Sequence, residues 1–312
     1  MPVRTTPASV SVVAPCFNEA LGIEEFHRRT SETLQRLNLD GEIIFVDDRS
    51  KDTTWQELLA IKNRDPKVKL IRLSRNFGHQ LALTAGLDQA KGEVILLIDA
   101  DLQDPPELLE NMLAKWREGY DVIYGKRAVR RGETVFKRLF AYLFYRYMER
   151  ITGIEIPTDT GDFRLLDKKA ADALRGLRER HRFVRGMVSW VGFKQAPLLY
   201  ERDKRFAGET GYPFRKSVKL AIDAITSFSY APLRMATWLG LSISAFAFLY
   251  ILVVIYLKLL GINFYGYTSI MASILLLGGV QLMVLGVIGE YVGRVFEQGQ
   301  GRPLYLVDEI ID

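Results

Sequence analysis

The stretch Val94-Ile-Leu-Leu-Ile-Asp-Ala-Asp-Leu-Gln-Asp-Pro-Pro-Glu107 decides how the chain folds. An apolar, partly β-branched run stops at Asp99, and a second carboxylate follows at Asp101. A strand covered on both faces reads as continuous hydrophobe, and in open α/β sheets ligands gather beyond the carboxyl ends of such strands. Two carboxylates at i and i+2, where the chain leaves the strand, can converge on one hard divalent cation. Mg²⁺ prefers few carboxylates plus phosphate oxygens, so the pair points to a metal-bridged diphosphate. The competing reading makes Asp99 and Asp101 caps of the helix that Pro105 and Pro106 open.

Outward from this stretch the pattern repeats. Residues 9–14 (SVSVVA) are β-rich and lead into Pro15-Cys-Phe-Asn-Glu19, after which 20–37 shows helical spacing. Residues 42–46 (EIIFV) end in Asp47-Asp48-Arg-Ser-Lys-Asp-Thr-Thr54, with a helix opening near Trp55. Residues 68–73 are followed by Ser74-Arg-Asn-Phe-Gly-His79 and a helix through Leu87, and 121–124 (DVIY) supplies a fifth strand. Strands alternating with helices imply crossover connections and a mostly parallel sheet. The polar clusters after the first, second and fourth strands then share one sheet edge. Carboxylates crowded there repel, at a cost that a cation, ribose hydroxyls or a base N–H would offset. Helix capping accounts for one of Asp47, Asp48 and Asp52, not for all. Neither a glycine-rich dinucleotide loop nor G-x-x-x-x-G-K-[ST] occurs, which leaves NAD and P-loop readings without support.

The apolar residues are unevenly spread. No charge falls in 235–257 or in 261–289, and each run exceeds the roughly 20 residues a helix needs to cross the hydrocarbon layer. We expect two membrane spans; the alternative is a buried helical hairpin. Residues 1–9 lack a charged segment followed by an apolar one, so the N-terminal domain is expected to stay in the cytoplasm. Lys and Arg number 42 against 37 Asp and Glu. Arg215, Lys216, Lys219 and Arg234 flank the first span, Arg294 and Arg302 follow the second, and Lys258 alone borders the loop between them. By the positive-inside rule the chain is a multi-pass protein of the cell membrane with both termini cytoplasmic. Cys16, the single cysteine, cannot form an internal disulfide, which fits a reducing compartment. The expected division is a catalytic domain over 1–230, a two-helix membrane domain over 231–291, and a cytoplasmic tail over 292–312. A lipid bilayer is then a partner, and nucleic acid is not.

The ordered motifs Pro15 to Glu19, Val46 to Thr54 and Asp99 to Asp101 resemble the P-x-x-N-E, V-D-D-x-S-x-D-x-T and D-x-D pattern of family 2 glycosyltransferases of GT-A fold. Arg75-Asn-Phe-Gly-His79, Asp99 to Glu107, Thr160-Gly-Asp-Phe-Arg-Leu-Leu166, the two spans and Gly301-Arg-Pro-Leu-Tyr305 are similar, more narrowly, to the polyprenyl-phosphate glycosyltransferases. That group includes dolichol-phosphate mannose synthase and, nearer to this chain, the bactoprenyl glucosyltransferases. The resemblance implies inverting transfer of one sugar, glucose from UDP-glucose, to a polyprenyl (undecaprenyl) phosphate, and an oligomeric enzyme. Asp47 and Asp48 would hold base and ribose, with Pro15 and Glu19 shaping the pocket and His79 contacting pyrophosphate or sugar, unless it is structural. Asp99, Asp101 and Gln103 would hold Mg²⁺ or Mn²⁺ against the diphosphate, with Asp101 at the reacting centre.

For the acceptor phosphate, the resemblance implies Arg127, Lys137 and Arg138. Residues 136–148 read as an interfacial amphipathic helix, with Lys and Arg snorkelling to headgroups. The run Arg175, Arg178, Arg180, Arg182 and Arg185 reads as attraction to anionic lipid. Asp159, then Asp162, are the acidic residues in the place where related enzymes present one. A phosphomonoester with a second pKa near 6 is, however, already largely dianionic at neutral pH. Residues 204–211 form a basic, glycine-rich loop like the family's mobile donor loop, with Gly211 where the family has Lys, so that Arg202, Lys204 or Arg205 would replace its phosphate contact. A processive polysaccharide synthase would need Q-x-x-R-W and more spans, which are missing. An inactive nucleotide-sugar-binding scaffold or sensor, or a donor such as GDP-mannose, remains as an alternative.

Overall fold

The computed structural model describes residues 4–128, 160–203, 229–261 and 266–312. The chain divides into two units, Met1–Val218 with Pro303–Asp312, and Lys219–Arg302.

The first unit is built on one eight-stranded sheet in the order β7-β5-β6-β4-β1-β2-β3-β8. Its strands are β1 (Val10–Cys16), β2 (Gly41–Asp47), β3 (Val68–Leu73), β4 (Val94–Leu97), β5 (Val122–Arg127), β6 (Thr160–Asp167), β7 (Gln195–Tyr200) and β8 (Val307–Ile311). β1 pairs in parallel with both β2 and β4, and β2 with β3, so the chain reverses its direction of travel across the sheet between β1 and β4. A crevice opens at such a switch point, beyond the strand ends. Every residue of β1 and β4 is buried, as expected for central strands covered on both faces.

Two strands run against the rest. β6 lies antiparallel between β4 and β5, and β8 lies antiparallel on β3. The insertion of β6 matters for the site. Because it runs backwards, its first residues arrive at the edge where the parallel strands end, with Leu97 of β4 opposite Arg164. Residues 292–312, read as a tail, include β8 and so contribute an edge strand to this sheet.

The helices of this unit are α1 (Ile23–Arg36), α2 (Thr54–Arg64), α3 (His79–Gln89), α4 (Leu109–Arg117), α5 (Lys168–Gly176) and α6 (Val184–Trp190), with a 3₁₀ turn at Pro106–Leu108. Phe26 of α1 meets Phe45 of β2 edge to face at 5.8 Å. Trp55, Leu58, Met112 and Trp116 from α2 and α4 join the same core.

The second unit contains α7 (Ala231–Leu259) and α8 (Tyr267–Gly299). Ala231–Leu259 and Ile270–Gly299, of 29 and 30 residues, are long and apolar enough to cross a membrane and bury none of their apolar window within the protein. They are candidate membrane spans. Tyr291 donates to the Ser229 carbonyl oxygen at 2.7 Å. The expected interfacial helix over 136–148 and the loop over 204–211 lie outside the described residues.

Candidate active site

Three loops leave the carboxyl ends of β1, β2 and β4, and each contains a non-glycine residue in left-handed backbone conformation: Asn18 (φ 59), Arg49 (φ 60) and Leu102 (φ 60). Such conformations cost about 1 kcal/mol or more and gather where a surrounding structure enforces a functional geometry. The first two loops are stitched together. The Asn18 N–H donates to Ser50 Oγ at 3.0 Å and the Lys51 N–H to Asn18 Oδ1 at 2.8 Å. The Glu19 N–H donates to Thr54 Oγ1 at 2.9 Å. Asp52 accepts from the Thr54 N–H at 3.1 Å and its hydroxyl at 2.6 Å, so it is the member of the acidic cluster that fastens the first residue of α2, one position before the N-cap Thr53.

Pro15 lies in β1 opposite Val46. The Ile98 N–H donates to the Val13 carbonyl at 3.1 Å. Strand alternation therefore turns the nitrogen of Pro15 toward the β4 side, past the end of β4, where no ladder bond is lost.

Asp47 and Asp48 are both buried. Asp47 Oδ1 accepts from the Ser50 N–H at 2.9 Å, and Oδ2 lies 3.3 Å from Arg72 Nε. The Arg72 guanidinium stacks over Trp55 at 4.8 Å. Asp48 accepts the Phe77 N–H at 2.7 Å and the Gly78 N–H at 2.8 Å. Burial raises its pKa despite those two donors. Gly78 has φ 97 and ψ 154, which a side chain would resist. Asp48 thus fastens the β3–α3 connection to the end of β2 and places His79 at the start of α3.

In the Asp99-x-Asp101 motif, Asp101 accepts the Gln103 N–H at 3.1 Å. Asp99 Oδ1 is buried with no hydrogen-bond partner among the described residues and sits 3.4 Å from His79 Nε2. Burial, then repulsion by Asp162, Asp104 and Asp101, raises Asp99 to about 6 against the opposing pull of His79. Burial would lower His79, but Asp99 and Asp162 together outweigh it and raise its pKa to about 9. Among the described residues no three His, Cys, Asp or Glu side chains form a preassembled metal cage. A buried, orphaned carboxylate oxygen beside a second carboxylate fits a Mg²⁺-type ion, which takes one or two protein carboxylates and completes its shell with phosphate and water.

β6 delivers Asp162 to this centre. Arg185 Nε of α6 donates to Asp162 Oδ1 at 3.1 Å, Gln80 Nε2 donates to Oδ2 at 2.9 Å, and His79 Nε2 lies 3.4 Å from the same Oδ2. Although burial opposes it, Arg185, His79 and Arg164 hold the carboxyl well below the usual range. Gln80 also accepts the Val184 N–H at 3.0 Å, tying α3 to α6. Gln80 carries no motif by which sequence reasoning would find it, and Arg164, although inside the Thr160 to Leu166 motif, is given no role there.

Arg185 belongs to the basic run expected to face lipid, and the structure corrects that expectation for most of it. Arg175 donates to the Leu87 carbonyl at 2.9 Å, Arg178 pairs with Asp88 at 2.7 Å, and buried Arg182 donates to the Leu177 carbonyl. Arg175 and Arg182 thus close carbonyls within the fold, whereas Arg178 pairs at the surface with its own side chain 54% exposed. On the other side of the crevice, Arg127 ends β5, in register with Tyr200 of β7. Asp104, which the sequence reading left without a role, is buried and accepts from the Tyr200 hydroxyl. Asp159, Lys137 and Arg138 lie outside the described residues.

Two family models match the chain: glycosyl transferase family 2 over residues 11–175, and the GtrB C-terminal hairpin over residues 231–295. The uncharacterized glycosyltransferase YkcC of Bacillus subtilis is 49% identical over 300 residues, covering 96% of this chain and 93% of that protein. A prophage bactoprenol glucosyl transferase homolog of Escherichia coli is 38% identical over 302 residues, covering 96% and 99%. The bactoprenol glucosyl transferase of Shigella phage SfV is 38% identical over 299 residues, covering 96% and 97%.

Proposed function

The chain belongs to glycosyltransferase family 2 and carries the GtrB hairpin, and from that premise we propose that it transfers glucose from UDP-glucose to undecaprenyl phosphate at the cytoplasmic membrane face. The observation that carries this reading is the convergence of Asp99, Asp101 and His79 at the switch-point edge, with one carboxylate oxygen of Asp99 left unbonded. Relatives named for glucosyl transfer to bactoprenol, matched over nearly their whole length, support the acceptor class.

Mg²⁺ or Mn²⁺, held by Asp99, Asp101 and Gln103, would supply Lewis-acid neutralisation of the departing diphosphate. Pro15, Glu19, Asp47 and Asp48 wall the nucleoside pocket, and His79, cationic at neutral pH, adds positive charge beside the diphosphate. Arg127 faces the acceptor side, with Lys137 and Arg138 as its partners. The acceptor phosphate oxygen attacks C1 in one displacement, the bond from C1 to the diphosphate oxygen breaks, and the sugar is inverted. No deprotonation is required of a phosphate that is already dianionic. Asp162, charged and multiply paired, orients His79 and Arg185 rather than taking a proton, and Asp159 is the remaining acidic residue we assign to the acceptor side. The two spans leave both termini cytoplasmic, and copies associate through the glycine-bearing face of α8.

The test is transfer of radiolabelled sugar into organic-extractable lipid by the purified full chain, with undecaprenyl phosphate, Mg²⁺ or Mn²⁺, and a panel of UDP- and GDP-sugars. Labelled lipid from UDP-glucose, lost in Asp101→Ala and with chelator, is the expected result. Nucleotide-sugar binding without labelled lipid from any donor would instead favour a sensor.

A further inference from the structure

The motif that places Asp99 and Asp101 does not end there. Asp104, 1% exposed, lies where three elements meet. Its Oδ1 accepts from the Tyr200 hydroxyl and is 3.4 Å from Arg202 Nε, while Oδ2 has no partner among the described residues. The backbone repeats the connection, since the Asp203 N–H donates to the Gln103 carbonyl at 3.0 Å. The exit of β7 is thereby clipped to the metal-binding loop.

Tyr200 is itself tightly placed. Its ring meets Phe163 edge to face at 5.7 Å, and a Cβ on Gly125 would come within 2.7 Å of the Phe163 ring and 2.9 Å of the Tyr200 ring. Beside it, Arg127 Nη2 lies 3.4 Å from the position a Cβ would take on Gly161. Arg202 thus sits beside the buried carboxylate, and Arg127, which bonds the Tyr200 side chain, is near enough to act on it electrostatically. Their Nε atoms are buried, that of Arg202 3.4 Å from Asp104, while the Arg202 side chain as a whole is about a quarter exposed at 24%, so that the ends of the guanidinium groups are the part a ligand can reach. With Asp104 paired to Arg202 and drawing on Arg127, and with Asp99 and Asp101 given to the metal, the two guanidinium groups present a fork of Nη donors suited to phosphate.

We propose that Asp104 is a positioning residue that sets Arg127 and Arg202 as a two-guanidinium cradle for the acceptor's phosphate group, with Arg202 a direct phosphate contact. This rests on the transferase reading given above and adds two residues to it. It also gives the Asp-x-Asp-x-x-Asp spacing a physical purpose. The first two carboxylates serve the donor diphosphate, and the third holds the acceptor cations in register with them through one short loop.

The test measures binding and turnover separately on the purified full chain in detergent, with farnesyl phosphate as the acceptor probe, farnesol as its uncharged control, and UDP-glucose as the donor probe. Arg202→Ala and Asp104→Asn should each weaken farnesyl phosphate binding about tenfold, the scale of one charge-assisted bond. UDP-glucose affinity should stay within about twofold. Arg202→Lys should recover part of the loss, and the Asp104→Asn, Arg202→Ala double variant should lose less than the product of the two. Transfer assays should show the same split, with acceptor KM raised and donor KM unmoved. Farnesyl phosphate affinity unchanged in Arg202→Ala, an equal loss of UDP-glucose affinity, or binding to wild type no tighter than that of farnesol would each overturn the proposal. If Asp104→Asn does not fold, the Arg202 pair decides alone. A wild type that binds both probes and transfers nothing would sink the transferase reading, while the cradle would still stand or fall by the binding data.

Discussion

Two acidic pairs occupy the same sheet edge and are treated in opposite ways. Asp47 and Asp48 each accept protein N–H groups: Ser50 for the first, whose Oδ2 has only the Arg72 guanidinium at 3.3 Å and no hydrogen bond among the described residues, and Phe77 and Gly78 for the second. Asp99 accepts no hydrogen bond on its buried Oδ1 among the described residues; it has the His79 ring at 3.4 Å on that side but Asp162, Asp104 and Asp101 around it, and burial with their repulsion raises its pKa to about 6. The residue type and the position at a strand end are shared, so composition cannot separate the pairs, although Asp99 is only partly buried. What differs is Asp99: the other three carboxylates each accept a backbone N–H, and no hydrogen bond to Asp99 is found among the described residues. The first pair organises loops, and the second is kept electrostatically incomplete, the condition in which a cation gains most by binding.

Substitution separates these roles, and the largest effect should fall on activity. Asp99→Asn removes a repelled charge, breaks no hydrogen bond among the described residues and loses only the partly exposed 3.4 Å ion pair with His79, while transfer should fall about a thousandfold, the scale of a lost electrostatic stabiliser. Its melting temperature should equal or exceed that of wild type. Chelation should reproduce the activity loss without lowering the melting temperature of the apo protein. A clear destabilisation by Asp99→Asn would show that Asp99 is architectural as well, and the contrast would collapse.

Asp48→Ala should act in the opposite sense. Two bonds from buried N–H groups to a charged acceptor are lost and both donors are stranded, which costs about 2–3 kcal/mol. For a domain of this size that is a drop of roughly 4–12 °C in melting temperature. Activity per folded molecule should fall less than in Asp99→Asn. A normal melt with lost nucleotide binding would instead make Asp48 a ligand residue first.

Much of this contrast was legible beforehand, and the limits have physical causes. Strands β1 to β4 and the edge they share follow from apolar runs that stop at carboxylates, a local signal. β6 escaped because its buried face carries Asp162 and Arg164, which only a partner such as Arg185 makes affordable. β8 pairs with β3 across more than two hundred residues and is mostly exposed, so neither alternation nor apolar content marks it. The basic run through Arg185 looked superficial because a sequence shows charges without their counter-charges. Asp104 sits inside the motif that was read, yet its purpose depends on Tyr200 and Arg202, a distant segment.

Leu102 tests the strained turn that presents the second pair. Its φ of 60 suits glycine, so Leu102→Gly should relieve backbone strain while loosening the loop and removing a buried side chain. The strain relief of about 1 kcal/mol is outweighed by the lost burial of about 2 kcal/mol, leaving a small net destabilisation. Transfer should fall several-fold through a less fixed Asp101. Equal activity in both proteins would mean that the turn's rigidity contributes nothing to catalysis.

The smallest effect is expected where the edge meets β8. Arg49 follows Asp48 directly and also has a left-handed backbone, and its guanidinium pairs with Asp308 at 2.5 Å. The geometry invites a functional reading, but both side chains are more than 40% exposed. Exposed ion pairs contribute at most about 1 kcal/mol and are screened by salt. Asp308→Ala should therefore shift melting by about 2–3 °C or less and leave donor KM unchanged, with any shift vanishing at high ionic strength. Tyr305→Phe, which removes a 2.7 Å bond to the largely buried Asp88, should cost more, about 1 kcal/mol. If Asp308→Ala moved donor KM while Tyr305→Phe did not, β8 would act on the nucleotide loop as well as on the sheet, and the division between architectural and ligand-ready carboxylates would have to extend to the closing strand.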